Sequence, residues 1–244
     1  MDNHEIFSGI TTIPPVIIRL DGRAFHRLTA ELGLAKPFDD FFSRAMTAVS
    51  TSLVAESGLS PEFAFTFSDE ISLYLKKLPF GGRVEKIDSV AASFAASALT
   101  IALGCIAPVA FDARIVQATP EFAVEYFTGR QAEAWRNHIN GYCQQALIAD
   151  GLTGREAATR LKGMPAKEMH DLMFARGVNL SETPAWQRRG ILVHKEACEK
   201  EGYNPVTDEE VIVERSAVVE NRDLPLFSGV EGKEFLQGLI SGAK

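Results

Sequence analysis

The stretch AFTFSDEISLYL, residues 64–75, decides the fold. Apolar residues alternate with other residues on both sides of a short polar segment, at Phe65, Phe67, Ile71, Leu73 and Leu75. A period of two predicts two strands, and the segment Ser68-Asp69-Glu70 between them predicts a tight hairpin. The tip of that hairpin carries two adjacent carboxylates. It is therefore either a solvated turn or a site that holds a cation.

The segments around the hairpin alternate between strand and helix patterns. The apolar run VIIRLDG at 16–22 predicts a buried strand, and apolar residues at helical spacing predict a helix over 38–53. An alanine-rich segment at 83–103 predicts a second helix, and VAFDARIVQ at 109–117 predicts a further strand. The order strand, helix, strand, strand, helix, strand is that of the split βαβ, ferredoxin-like α+β fold. In this fold an antiparallel sheet carries both helices on one face, and we expect the other face to be open to a substrate.

The rest of the chain adds helices and further strands. Helical patterns cover 120–151, 155–163 and 166–176, strand patterns cover 191–195 and 210–219, and a short helix is expected at 233–240. We interpret residues 1–244 as one catalytic unit. Its parts are a palm-like core at 14–150, of the polymerase type, and a C-terminal helical and strand extension at 151–244.

The composition is that of a globular protein, since 46% of the 244 residues are hydrophobic and 23% are charged. The net charge is −7, but residues 196–244 alone carry 11 acidic and 5 basic side chains. The body before them is therefore nearly neutral. A local basic face on that body remains compatible with binding of nucleic acid.

Two features bear on location and redox state. The longest apolar run, 90–103, is shorter than the roughly 20 residues that cross a bilayer, and the acidic N-terminus lacks a secretion signal. We therefore expect a cytoplasmic protein without a membrane span. The cysteines Cys105, Cys143 and Cys198 are far apart and odd in number, which favours buried free thiols over disulfides or a metal knuckle.

Two aspartates are expected at the same edge of the sheet. In a ferredoxin-like sheet the first strand neighbours the central hairpin, so Asp21 at the end of that strand meets Asp69 at the hairpin tip. Close carboxylates repel each other unless a divalent cation lies between them. Mg²⁺ prefers such oxygen ligands together with substrate phosphates, and the carbonyl of Gly22 adds an oxygen. The alternative is that Asp21 caps a turn and that Asp69 and Glu70 form a solvated hairpin end, and spacing leaves both open.

Other signatures of catalytic sites are missing from the sequence. It contains neither G-x-x-x-x-G-K-[ST] nor G-x-G-x-x-G, so a triphosphate has to be held by metal ions and separate basic side chains. The five histidines form no H-x-x-x-H pair, and there is no G-x-S-x-G elbow. The sequence therefore does not indicate zinc or a serine nucleophile.

Several separated segments resemble, in order and spacing, the signature motifs of the tRNA-histidine guanylyltransferase superfamily. They are RLDGRAFHRLT at 19–29, AKPFD at 35–39, FSDEISLYL at 67–75, RVEK at 83–86, FDAR at 111–114, RQAEA at 130–134 and RRGILV at 188–193. The resemblance implies a nucleotidyltransferase that extends the 5′ end of tRNA in the 3′-to-5′ direction. ATP activates the 5′-monophosphate, and the 3′-hydroxyl of GTP or another nucleoside triphosphate then attacks it, with two Mg²⁺ ions present. A homodimer or homotetramer is also implied.

The resemblance further implies roles for individual residues. Those implied for catalysis are Asp21, Asp69 and Glu70, and those implied for metal binding are Asp21, Gly22 and Asp69. Those implied for nucleotide binding are Arg23, Ala24, Phe25, His26, Thr29, Lys36, Asp39, Ser68 and Arg189. Those implied to hold RNA phosphates are Arg83, Lys86, Arg114 and Arg130. For the basic residues the alternative is an ordinary solvated position on a loop or at a helix start.

One segment departs from the family pattern. Members specialised for tRNA-histidine carry HINNLYN after R-Q-A-D, whereas this chain has WRNHING at 135–141, where only Asn137 coincides. The departure favours the guanylyltransferase-like branch, which repairs 5′-truncated tRNA by templated addition and reads tRNA shape rather than base sequence.

Three alternatives to repair stay open. The first is a tRNA-histidine guanylyltransferase that adds the extra 5′ guanosine. The second is an RNA-independent nucleotide cyclase or oligonucleotide synthase with a palm fold. The third is a tRNA-binding module with a decayed site, which the intact Asp21 and Asp69 disfavour.

Overall fold

The computed structural model describes residues 5–105, 107–204 and 209–242, which form six strands, eight α-helices and a short 3-10 helix at Phe80–Gly82. The strands are β1 (Val16–Gly22), β2 (Phe63–Phe67), β3 (Glu70–Leu75), β4 (Phe111–Gln117), β5 (Ile191–Asn204) and β6 (Glu209–Asn221). The helices are α1 (Phe25–Glu31), α2 (Asp40–Ala55), α3 (Val84–Leu103), α4 (Pro120–Ala149), α5 (Gly154–Leu161), α6 (Ala166–Phe174), α7 (Ala185–Arg189) and α8 (Val230–Ser241).

The strands join one antiparallel sheet in the order β4-β1-β3-β2-β5-β6. Its first four strands, with α2 and α3 between them in the chain, make the split βαβ arrangement, so the predicted fold class is confirmed. β5 pairs with β2, for example through Phe63 and His194, and this pairing adds the C-terminal extension to the sheet of the core. The proposed division of the chain at residue 150 stays a prediction.

One face of the sheet packs against α2 and α3. The strand residues Ile18, Leu20 and Leu73 are fully buried there, against Leu53 of α2 and Leu99 of α3. Such burial contributes about 25 cal/mol per Å² of apolar surface. It also fixes the strand register, because a slip by one residue would turn these side chains away from the helices.

The other face is covered as well, so the expectation of an open face is wrong for most of the sheet. Phe63, Phe65 and Tyr74 are buried there against Phe127 of α4 and Leu236 of α8. The physical reason is that this face carries large aromatic side chains. Folding removes the surface of these side chains from water. Near the hairpin tip, this face of β1 and β3 carries polar residues in place of aromatic ones.

α4 links the sheet to a separate helical cluster. Its second half packs against α5 and α6 through Ile139, Cys143, Leu161 and Met173. Cys143 is a buried free thiol, as expected, whereas Cys198 is exposed, and for that residue the expectation is wrong. The physical reason is its position on the part of β5 that pairs with β6 and lies beyond the end of β2.

α3 is longer than the apolar run seen in the sequence. It spans 20 residues and is, among the described helices, the one that is long and apolar enough to cross a membrane. Residues at helical spacing are nevertheless buried in the core, namely Ile87, Ala91, Ala95, Leu99 and Leu103. A helix that packs one face on a sheet has the same pattern, so length and composition are weak grounds for a membrane span.

Candidate active site

The hairpin between β2 and β3 lies beside the end of β1. Asp21 is the register partner of Glu70, and the backbone N–H of Gly22 donates to the carbonyl oxygen of Asp69 at 3.1 Å. Burial raises the pKa of Asp69, and the negative charge of Asp21 adds to the rise. The structure therefore places the two aspartates at the same edge of the sheet.

The hairpin tip is a strained two-residue turn. Phe67 pairs with Glu70 at the end of the strands, and Ser68 has a φ of 52°, a left-handed conformation that residues other than glycine seldom adopt. The Ser68 hydroxyl donates to Asp69 Oδ1 at 3.1 Å. Strain of this kind persists where the surrounding structure fixes the backbone, and it is common at active sites.

Gly22 is packed too closely for a side chain. A Cβ at this position would lie 2.6 Å from the ring of Phe25. That ring is buried and makes edge contacts with Phe42 and Phe111, so it has little room to move. Glycine therefore lets β1 run against this ring and leaves the backbone oxygen of residue 22 without a side chain beside it.

The donor set at this edge fits Mg²⁺. Two carboxylates and a glycine carbonyl are hard oxygen ligands, and the raised pKa of Asp69 marks a carboxylate whose charge is not offset. Asp21 accepts from Arg19 Nε at 3.0 Å and lies 4.0 Å from Arg114 Nη2. Over the described residues, no group of three or more His, Cys, Asp or Glu side chains that could hold a metal ion is found. A site of two carboxylates is completed by water and substrate phosphates.

A cavity of about 460 Å³ opens beside the hairpin tip. Its wall includes seven residues implied for nucleotide or metal binding, namely Phe25, His26, Thr29, Lys36, Asp39, Ser68 and Asp69. The volume lies within the usual range of small-molecule sites. The structure thus gathers these separated segments of the sequence around one space.

A hydrogen-bonded loop forms one wall of the cavity. Lys36 Nζ donates to Thr29 Oγ1 at 3.0 Å, and that hydroxyl donates to the carbonyl oxygen of His26 at 3.2 Å. Asp39 caps α2 and accepts from two backbone N–H groups, at 3.0 and 2.9 Å. These bonds hold the pKa of Asp39 below its usual range, so a charged carboxylate stays at the cavity wall.

Other parts of the cavity wall contain residues that sequence analysis missed. They are the α4 residues Asn137, Asn140, Gly141 and Gln144 and the aromatic residues Phe38 and Trp186. The α4 positions recur at helical spacing, so they share one face of the helix. Their small or amide side chains give a signal in the sequence, since that face lacks the large apolar residues that a core requires.

Three residues implied for nucleotide binding lie outside the cavity wall. Arg23 and Ala24 are exposed on the turn between β1 and α1, where Ala24 has a φ of 59°. Arg189 donates from Nη1 to the carbonyl oxygen of Leu224 at 2.7 Å. Its Nε is buried and has no hydrogen-bond partner among the described residues.

The residues implied to hold RNA phosphates divide between the two ends of the sheet. Arg114 lies near the carboxylates, with Nη2 at 3.2 Å from Asp112 and 4.0 Å from Asp21. Arg83 and Lys86 are exposed at the start of α3, which follows the opposite end of β3. The structure does not bring these two residues to the aspartates of the same chain.

Glu70 and Arg130, implied for different roles, are paired with each other. Glu70 Oε1 accepts from Arg130 Nε at 2.7 Å, and Oε2 accepts from Nη2 at 2.6 Å. Burial raises the pKa of Glu70, and the guanidinium opposes that rise. Glu70 is absent from the cavity wall, unlike Asp69 beside it.

Comparison with known proteins assigns a family. A model of the tRNAHis guanylyltransferase family matches residues 1–120. A probable tRNA(His) guanylyltransferase of Mus musculus is 30% identical over 220 residues, which cover 85% of this chain and 74% of that protein. The chain belongs to the tRNAHis guanylyltransferase family. The resemblance drawn from the motifs is confirmed.

Other relatives agree with the tRNAHis guanylyltransferase assignment. The tRNA(His) guanylyltransferase of Saccharomyces cerevisiae is 28% identical over 193 residues, covering 73% of this chain and 81% of that protein. A bacterial tRNA(His) guanylyltransferase-like protein, solved in complex with ATP, has a TM-score of 0.77 at 27% identity and covers 98% of this chain and 96% of its own. A structure of such a protein with GTP, at a TM-score of 0.72 and 24% identity, shows the fold alone. As a tRNAHis guanylyltransferase family member, this protein is a nucleotidyltransferase.

Proposed function

We propose that this protein adds nucleotides to the 5′ end of tRNA. The observation that carries the proposal is the cavity beside the hairpin tip, a nucleotide-sized space with Asp69 in its wall and Asp21 at the same edge of the sheet. A relative that shares the fold is described in complex with ATP. In this proposal ATP enters the cavity for activation of the 5′ end, and GTP or another nucleoside triphosphate enters it for addition.

The walls of the cavity have distinct roles in holding the nucleotide. Lys36 and Ser68 donate to phosphate oxygens, and Thr29 and Asp39 lie toward the nucleobase, with His26 on the same loop. The aspartate edge and the glycine carbonyl next to it would hold two Mg²⁺ ions, which supply neutralisation of the charge on the phosphates.

The proposed reaction has two steps at phosphorus. In the first, an oxygen of the tRNA 5′-monophosphate attacks the α-phosphorus of ATP, and pyrophosphate leaves. In the second, the 3′-hydroxyl of a nucleoside triphosphate attacks the phosphorus of the activated 5′ end, and AMP leaves. The side chains around the cavity contribute by aligning the attacking and leaving oxygens, which is a major part of catalysis in phosphoryl transfer.

tRNA-histidine is the substrate proposed first, with addition of a guanosine at its 5′ end. The relatives in Mus musculus and Saccharomyces cerevisiae carry this activity in their names. Templated repair of 5′-truncated tRNA is the second candidate. It is favoured by the match to a bacterial guanylyltransferase-like protein over 98% of this chain, and by WRNHING at 135–141 in place of HINNLYN.

We also propose a cytoplasmic location and a homodimer or homotetramer. The assembly is what the resemblance of the motifs implies. Arg83 and Lys86, at the end of the sheet remote from Asp69, would meet the same RNA either across the body of one copy or from a second copy.

An extension assay with a panel of tRNAs tests the proposal. The protein is incubated with magnesium, ATP, labelled GTP and tRNAs that differ in anticodon and in 5′ length. We expect 5′-extended product, and none from Asp69→Ala at an unchanged melting temperature. Preference for the histidine anticodon supports guanosine addition to tRNA-histidine, whereas extension of any truncated tRNA opposite its 3′ strand supports repair. No extension of any tRNA, or product formed without RNA, would overturn the proposal.

A further inference from the structure

Glu70 follows Asp69 in the chain but lies in a different environment. Asp69 lines the cavity, whereas Glu70 and its register partner Asp21 do not, and the Glu70 side chain is only 9% exposed. Both Glu70 oxygens accept from the guanidinium of Arg130, at 2.7 and 2.6 Å, and the Ser72 hydroxyl lies 3.4 Å from Oε1. A carboxylate with both oxygens engaged by a cation is a poor ligand for a metal ion.

Arg130 is held on the sheet face that carries Asp21. It belongs to α4, and its guanidinium lies over the ring of Phe67, 5.4 Å from the centroid. Its partner Glu70 is directly opposite Asp21 in the register of β1 and β3. The forked pair uses Nε and Nη2, so it fixes the plane of the guanidinium and leaves Nη1 outside the pair.

We propose that Glu70 is a positioning residue and not a metal ligand. It holds Arg130 so that the edge of the guanidinium outside the pair binds a phosphate of the RNA 5′ end beside Asp21. This inference rests on the proposed function, within which it gives Glu70 and Arg130 one joint role. Glutamine at position 70 would leave the guanidinium free to rotate, and lysine at position 130 would keep the charge but lose the fixed plane.

A double-substitution cycle tests the joint role. Glu70→Gln, Arg130→Gln and the double variant are compared in the extension assay. Each single variant is expected to lower kcat/KM for tRNA by about 10- to 100-fold, and the double variant by no more than about twofold further, because the two side chains act as a unit. Arg130→Lys is expected to lower kcat/KM for tRNA by a similar factor. Losses that multiply in the double variant, or native activity of Arg130→Lys, would overturn the proposal.

A binding measurement separates this proposal from the proposed reaction. Binding of Mn²⁺ in the presence of ATP, followed by electron paramagnetic resonance, needs no tRNA. Glu70→Gln is expected to bind Mn²⁺ within about twofold of the native protein, and the reference variant Asp69→Asn about tenfold more weakly. If Glu70→Gln binds Mn²⁺ as weakly as Asp69→Asn does, Glu70 binds the metal and the proposal is wrong.

Thermal melting monitors the folding of each variant. If Glu70→Gln does not fold, Arg130→Lys replaces it in both measurements, since this variant retains an ion pair with Glu70. Its expected result is then a lowered kcat/KM for tRNA with native Mn²⁺ binding. Weakened Mn²⁺ binding or native activity in Arg130→Lys would overturn the proposal.

Discussion

Gly22 couples the core to the candidate site at the scale of a single residue. Its backbone lies against the buried ring of Phe25, and its N–H donates to the carbonyl oxygen of Asp69. A displacement of residue 22 therefore moves the end of β1 and the hairpin tip together. The neighbouring strain at Ser68 has the same origin, because the hairpin is held by contacts on both sides.

Gly22→Ala is expected to lower both stability and activity. The added methyl would lie 2.6 Å from the Phe25 ring, and overpacking of this kind costs about 1–3 kcal/mol. Urea unfolding and the extension assay measure the two effects. The control is Gly238→Ala in α8, where a Cβ meets no atom of the described residues within 4 Å and helix propensity predicts a gain of about 0.5–1 kcal/mol. Native stability of Gly22→Ala would mean that the ring moves aside without cost.

Asp88 on α3 is expected to make stability depend on pH. Its Oδ1 is buried and has no hydrogen-bond partner within the part of the chain that the structure describes, and burial raises its pKa to about 6. An unfolded aspartate titrates near pH ~3.9, so the folded protein holds this proton more tightly. Stability contributed by Asp88 is therefore lost as the pH rises from about 4 to 6.

Asp88→Asn removes that loss. With allowance for solvent screening, the variant is expected to gain about 1 kcal/mol at pH ~8 and almost nothing at pH ~4. Urea unfolding at the two pH values measures the difference. An equal gain at both would show that the charge of Asp88 is not the cause.

At the scale of elements, the predictions that hold are those that depend on local patterns. β1 to β4, α2 and α3 each have their own apolar period, and their order in the chain restricts the topology. The sequence of β2 does not indicate that α4 and α8 cover Phe63 and Phe65, because these contacts join segments that are distant in the sequence. The pairing of Glu70 with Arg130 escapes sequence reasoning for the same reason, since the partners lie 60 residues apart.

The candidate site divides in the same way. The carboxylates and the loop residues lie in compact motifs close to β1 and the hairpin, so topology and motif spacing place them near one edge. The polar face of α4 can be recognised in the sequence. The sequence does not show that this face forms part of the cavity wall. Arg83 and Lys86 lie in an equally compact motif, yet α3 carries them to the remote end of the sheet.

Gly141→Leu tests whether ATP uses the wall formed by α4. A Cβ at this position would lie 3.3 Å from Pro37 Cβ, a tight contact, so a leucine has to displace the loop that carries Pro37 at the cavity wall while it improves helix propensity. ATP affinity is expected to fall by about tenfold, or 1.4 kcal/mol, and thermal melting checks that the variant is folded. Isothermal titration calorimetry measures the affinity. Gly129→Leu on the same helix is the control, because a Cβ there has no neighbour within 4 Å in the described ranges of the chain. Native affinity in Gly141→Leu would show that ATP does not extend to this wall.

At the scale of the whole molecule, the distribution of charge limits how RNA can bind. Residues 196–244 carry an acidic excess and repel phosphates, so contacts with RNA fall on the body of the protein. Arg114 lies near the aspartates, whereas Arg83 lies beyond the other end of β1, a strand that spans about 23 Å. An RNA with its 5′ end at Asp69 therefore reaches Arg83 either by crossing the body or through a second copy of the chain.

Arg83→Ala and Arg114→Ala distinguish these two paths. If RNA crosses the body, Arg83→Ala weakens the binding of full-length tRNA but not the binding of a hairpin that consists of the acceptor stem alone. Arg114→Ala weakens the binding of both RNAs. We expect this first outcome, with the slope of log affinity against log salt for tRNA lowered by about one in each variant and the melting temperature unchanged. Filter binding at several salt concentrations provides the measurement. If Arg83→Ala weakens the binding of the short hairpin as much as Arg114→Ala does, the path across the body is contradicted, because only a neighbouring copy brings Arg83 so close to the 5′ end.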